Sequence, residues 1–117
     1  MIRIVGIALF ALGSAAQAAQ QAPATPEESD ARCLAIFSAA AASEDKAVQE
    51  GGKIGAIYFA GKLSGRNPSV NFETVLRRAF PSLEASSAQD GKRCAAELQS
   101  MGAAMTAAGA ALQKKPN

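Results

Sequence analysis

Few side chains in this 117-residue protein could do chemistry. They are two cysteines (Cys33 and Cys94), one tyrosine (Tyr58), ten carboxylates and twelve cations, and the chain has no histidine and no tryptophan. Without histidine, the usual proton shuttle and the commonest metal ligand are both missing. Two thiolates with no imidazole make a poor zinc site, and Cys33 and Cys94 stand far too wide apart for a C-x-x-C redox motif. Ser43-Glu44-Asp45-Lys46 matches the S-x-x-K nucleophile pattern, but no S-D-N or K-T-G follows, so these residues read as a helix cap. Gly61-Lys62-Leu63-Ser64 resembles the end of a phosphate loop. Leu63, however, stands where Ser or Thr must hold magnesium, and Gly55 lies one residue too far upstream. No catalytic residue, metal or cofactor is therefore expected. An enzyme working through carboxylates, Ser, Lys or Tyr is the least favoured functional class.

The cations occur as Arg77-Arg78, Lys92-Arg93 and Lys114-Lys115, with Lys62 and Arg66 near the end of a helical segment. A net charge of only +2 argues against nucleic acid as a partner, because a nucleic-acid binder concentrates a strong basic excess on one face. Interspersed acids mark most of these pairs as solvated helix faces. Tyr58 and Phe59 are adjacent, about 100° apart on a helix, so only one of them need be buried. Tyr58, Lys62 and Arg66 are the candidate interaction surface.

The start of the chain sets the compartment. Met1-Ile2-Arg3 is a short positive start, Ile4 to Leu12 is nearly all apolar, and Ala16-Gln17-Ala18 has the small-x-small pattern of a signal-peptidase site. The apolar run is well short of the ~20 residues that span a bilayer. Residues 1–18 are expected to be a cleaved signal peptide. The product would be periplasmic, with no stable membrane insertion. In an oxidising compartment, two cysteines make a single Cys33–Cys94 disulfide the default reading, with a metal pair, a catalytic thiol or an intermolecular bridge as alternatives.

Residues 19–25 read as a flexible lead, and 26–115 as one helical domain. Thr25-Pro26-Glu27-Glu28 is a capping box with Pro at the first helical position, opening a helix to about Ala42 with Cys33, Phe37 and Ala40 on one face. Ser43 is expected to cap a second helix from Glu44 to about Leu63, ended by Gly65 and Pro68. Gly51, Gly52 and Gly55 weaken that helix by about 1 kcal/mol each, unless they serve the close approach of another helix. Asn71 should cap a short third helix that Pro81 terminates. Ser87 to Asp90 should open a fourth, on which Cys94, Leu98, Met101, Met105, Ala108 and Leu112 form a seam. Met101 and Met105 read there as core filling. No segment alternates with period two, so the expectation is an all-α, antiparallel four-helix bundle stapled by one disulfide.

The string Tyr58-Phe59-Ala60-Gly61-Lys62-Leu63-Ser64-Gly65-Arg66, between an early and a late Cys, resembles a Y-F-x-G-[RK]-L-x-G-R segment. That segment belongs to a family of small exported bacterial helical proteins of unassigned function. In architecture the chain is similar to HdeA-type periplasmic acid-stress chaperones and to small periplasmic immunity proteins, neither of which lends it a functional residue. The expected function is a non-catalytic module that binds another periplasmic protein. The alternative is an acid-stress chaperone, in which protonation of carboxylates below about pH 5 leaves the chain strongly positive and loosens it.

Overall fold

The structure is a computed structural model that describes residues 24–114 and Pro116. The export signal expected over residues 1–18, the lead up to residue 23, and Lys115 lie outside the described residues. Three helices make up the fold: α1 (Pro26–Ala41), α2 (Lys46–Arg66) and α3 (Phe72–Gln113), with no strand among the described residues. None of them is long and apolar enough to cross a membrane.

The caps follow local chemistry. In α1 the hydroxyl of Thr25 accepts from the amide of Glu28 (3.2 Å), and the Glu28 carboxylate accepts from the amide of Thr25 (2.9 Å). The second helix starts later than expected. Asp45, not Ser43, accepts from the amide of Val48 (3.1 Å), while Ser43 accepts from the amide of Asp45. A carboxylate at the helix start satisfies a free amide and complements the dipole, so it prevails over the hydroxyl two residues earlier. The helix also runs past Gly65 to Arg66. It stops at Asn67, whose extended backbone (φ −138°, ψ 96°) is what the following Pro68 demands.

The expected four-helix bundle is corrected to three helices, because Pro81 does not break the chain. A proline inside a helix removes one amide and crowds the carbonyl four residues back, at a cost of about 3 kcal/mol. The carbonyl left without a partner here belongs to Arg77, and both Arg77 and Pro81 lie on the exposed side. On the opposite side, Ala79 is buried against Ala31 and Ala35 of α1, and Cys94 is bonded to Cys33. Anchors on both sides of Pro81 hold the helix in register. Ser87, expected as a cap, is an ordinary exposed residue within it.

The first helix lies at the centre, packing along both α2 and α3, which barely touch one another. It therefore buries a wider arc than one stripe: Asp30, Ala31, Cys33, Leu34 and Ala35. Phe59 and Leu63 from α2 meet Cys33, Leu34 and Cys94 in the core, with Phe37 stacked on Phe59 at a centroid distance of 5.7 Å. Close contact of α1 with α2 depends on two glycines. A Cβ on Gly52 would lie 2.6 Å from the carbonyl carbon of Ala40 and 2.8 Å from the Cα of Ala41, and one on Gly55 would enter the ring of Phe37. Around Gly51 there is open space, yet α2 runs unbroken through all three glycines.

Beyond Leu98 the third helix leaves the core altogether. Every residue from Gln99 to Lys114 is exposed, including Met101, Met105 and Leu112. Core filling by the two methionines is thus corrected: of the expected seam, only Cys94 is buried and Leu98 half-buried. Among the described residues, α1 with 16 residues and α2 with 21 are each far shorter than a helix of 42 residues, about 63 Å long, and neither extends along its end.

Candidate functional site

Tyr58, Lys62 and Arg66 succeed one another at four-residue intervals along α2, so they share one side of it. The fold turns that side toward two carboxylates: Asp30 on α1, which is buried, and Glu97 on α3. Lys62 Nζ donates to Asp30 Oδ1 at 2.8 Å and also to Glu97 Oε1. Arg66 donates to the other oxygen of Asp30, and the Tyr58 hydroxyl donates to Glu97 Oε1 at 3.1 Å. Lys62 also passes over the rings of Phe59 and Tyr58, 5.3 and 5.8 Å from their centroids, close enough for cation–π attraction. Two cations and two carboxylates cancel, and the five residues join all three helices.

A second ion cluster lies on the α1–α3 side. Buried Asp90 accepts from Ser86 (2.7 Å) and faces Arg93 (3.4 Å) and Arg32 (3.8 Å), while Arg93 also donates to the carbonyl of Ser29 (2.9 Å). The two clusters flank the disulfide. Asp30 and Glu97 each stand one helical turn from a half-cystine, and Asp90 stands one turn before Cys94.

Sequence reasoning missed Asp30, Glu97 and Asp90, although a signal was present. Once Cys33 and Cys94 are paired, residues three or four positions from either one must share the buried contact between α1 and α3. Charges there need partners, and α2 offers a lysine and an arginine one turn apart. Phe59 takes the core position of its aromatic pair, and Tyr58 is half-buried.

The electrostatics favour a clamp over an acid–base device. Burial raises the pKa of Tyr58, and the hydrogen bond to Glu97 and that carboxylate's charge raise it further. For Lys62 the largest influence, burial, works to lower the pKa, but hydrogen bonds and charge from Asp30 and Glu97 outweigh it, so the value rises. A lysine held protonated is a poor nucleophile and a firm cationic tie. No family model matches the chain, and comparison with curated proteins and with solved structures returns no match.

Two outcomes follow from this geometry. Replacing Asp30 by Asn leaves Lys62 and Arg66 without their shared charge. Breaking a fully buried pair costs about 3–5 kcal/mol, but these cations are 26% and 40% exposed and can turn to water, so urea unfolding should record a loss of about 2 kcal/mol. Glu50→Gln, which breaks a pair exposed on both sides, should change stability by less than about 0.5 kcal/mol. Equal losses in the two variants would show that the cluster does not hold the helices.

The second outcome concerns alkaline pH. Both Tyr58 and Lys62 bind their protons more tightly folded than unfolded, so their contribution is complete below the unfolded values of 10.0 and 10.5 and is lost as pH rises through the higher folded ones. Stability should fall above about pH 10, less steeply in Lys62→Met. Because Tyr58 is the only tyrosine, absorbance of the tyrosinate reads its ionisation directly, and a midpoint at or below 10.0 would contradict the geometry.

Proposed function

We propose that this protein is an exported, non-catalytic helical module that works by binding another protein in the periplasm. The observation that carries this reading is the free end of α3, residues 98–113. It is an arm with no charged residue, bearing Met101, Met105 and Leu112 in line with half-buried Leu98 and, beyond Leu98, uncovered by the described residues. Apolar surface held outside a core marks a contact site, and methionines there adapt readily to a partner. The ion clusters and the disulfide give the arm a rigid base, with Arg66 and Lys62 part-exposed at the rim. The start of the chain supports export, and so does the likeness of Tyr58–Arg66 to a family of small exported proteins.

A second reading, the acid-stress chaperone, draws on buried Asp30 and Asp90. Each holds two cations, so Arg32, Lys62, Arg66 and Arg93 are gathered around the α1 helix, where the self-repulsion of a chain made strongly positive in acid would bear first. The testing experiment is an affinity pull-down with crosslinking from periplasmic extract, at about pH 7 and near pH 3, where most carboxylates are protonated. A Met105→Glu/Leu112→Glu variant serves as the control. One stoichiometric partner at neutral pH, lost with the variant, is the expected result. Many partners appearing only in acid, with a rise in hydrophobic-dye binding, would favour the chaperone. No partner at either pH would overturn both readings.

A further inference from the structure

Between the first two turns of α1 and residues 75–82 of α3 lies a cleft of about 400 Å³ that belongs neither to the arm nor to the Tyr58–Lys62–Arg66 cluster. Its floor is apolar, made by Ala31 of α1 with Val75 and Ala79 of α3. Ala31 and Ala79 are buried against one another, and two alanines at a helix contact leave open the space that larger side chains would fill. A space of this size, with an apolar floor and a few polar groups converging on it, is the usual form of a small-molecule site.

The polar groups are Glu27, Glu28 and Arg32 from α1 and Arg78 from α3, and they do not neutralise one another. Glu28 and Arg32 stand four positions apart, in the order that favours a helical ion pair, yet they are not joined. The Glu28 carboxylate is drawn back to the amide of Thr25 at 2.9 Å, and Arg32 faces Asp90 at 3.8 Å, beyond hydrogen-bond range. Glu27 and Arg78 have no partner among the described residues, whereas Arg77, the neighbour of Arg78, is paired with Glu73 at 2.8 Å. Two hydroxyls at the cleft keep spare capacity. Thr25 Oγ1 accepts from the amide of Glu28 and retains its own proton to donate, while Ser82 Oγ donates to the carbonyl of Ala79 and retains lone pairs to accept.

Two carboxylates and two guanidinium groups leave the lining with no net charge, so a molecule carrying one charge of each sign matches it better than a simple anion or cation. A guanidinium fork suits a carboxylate, and a carboxylate suits an ammonium. We propose that this cleft binds a small zwitterion in which a short apolar body joins a carboxylate to an ammonium. Arg32 and Arg78 hold the carboxylate, Glu27 holds the ammonium, and the apolar body rests on Ala31, Val75 and Ala79. Free apolar amino acids and dipeptides share this chemistry. The site is separate from the arm of α3, and neither reading needs the other.

Equilibrium dialysis of the purified, oxidised protein against L-leucine and against L-leucyl-L-leucine tests the proposal, with amide shifts in NMR spectra locating the site. N-acetyl-L-leucine, which lacks the ammonium, and L-leucinamide, which lacks the carboxylate, are the comparison ligands. Saturable one-to-one binding of leucine or of the dipeptide is expected, with shifts at Ala31, Arg32 and Ala79, and the tighter of the two identifies the source. Both comparison ligands should bind at least tenfold more weakly. Arg78→Gln and Glu27→Gln should each weaken the zwitterion at least tenfold, while Lys92→Gln, outside the cleft, changes nothing. All three positions are exposed, so helical circular dichroism should match the wild type. Absence of binding by both leucine and the dipeptide overturns the proposal. So does N-acetyl-L-leucine binding as tightly as leucine, which would mean a simple anion site, and so does binding that Arg78→Gln leaves unchanged.

Discussion

Removal of the Cys33–Cys94 disulfide, by reduction or as Cys33→Ala/Cys94→Ala, is expected to lower stability by about 4 kcal/mol. The figure follows from the loop: the half-cystines are 61 residues apart, and opening such a loop returns that much conformational freedom to the unfolded chain. At about 0.05–0.15 kcal/mol per residue, the described part of this chain has about 5–14 kcal/mol in all, of which the bridge is at least about a third. Its core is small: among the described residues, Phe59 and Leu63 are the only large side chains sealed completely besides the cystine itself. The reduced protein should therefore lose most of its helical signal at 37 °C and in modest urea, while the oxidised form stays folded. Both half-cystines are fully buried, so reductant reaches them only when the helices open. The rate of reduction should accordingly follow the rate of unfolding as denaturant is added. A reduced protein as stable as the oxidised one would mean that the ion clusters and the small core suffice without the bridge.

The glycines of α2 supply the second large effect, and neighbours should behave oppositely. Gly52→Ala drives a methyl group into the backbone of Ala40 and Ala41, which cannot swing aside as a side chain would. Overpacking of this kind costs about 1–3 kcal/mol or more, offset by about 1 kcal/mol of better helix propensity. A net loss of about 2 kcal/mol is expected for Ala, and a larger one for Val. At Gly51 the added methyl meets only open space, and no glycine of the described chain has a positive φ, so Gly51→Ala should stabilise by about 1 kcal/mol. Gly55→Ala should fall between the two, since it displaces the ring of Phe37, a side chain with freedom to turn. Thermal unfolding of the three variants would rank them. If Gly51 and Gly52 tolerate alanine alike, α1 and α2 are not crossing where the structure places them.

These expectations divide along the line between local and non-local physics. Capping chemistry was legible residue by residue: the Thr25–Glu28 box and the Asn71 cap involve partners three positions apart. The absence of period-two alternation marked the chain as helical, and two cysteines allowed a single intramolecular bridge. That glycines of α2 serve close approach was also legible, but not that Gly52 and Gly55 do so while Gly51 faces solvent. The choice depends on how α1 is rotated against α2. The site divides in the same way. Tyr58, Lys62 and Arg66 stood out as an aromatic free to be exposed and two cations near a helix end, whereas nothing local marks Asp30 or Glu97 before the disulfide places α1 beside α3.

Helical composition and the starts at Thr25 and Asn71 were written in the order of the residues, because each depends on groups a few bonds or one turn apart, and the cysteine pairing was written in their number, whereas the starts expected at Ser43 and Ser87 were not kept. The continuation of α3 through Pro81 was decided by anchors on both sides of it, Ala79 against α1 and Cys94 bonded to Cys33, and no local signal at the proline announces either. The exposure of Met101, Met105 and Leu112 was decided the same way. Their spacing is that of a buried seam, and whether a seam is covered depends on how much chain remains to cover it, a property of the whole packed molecule.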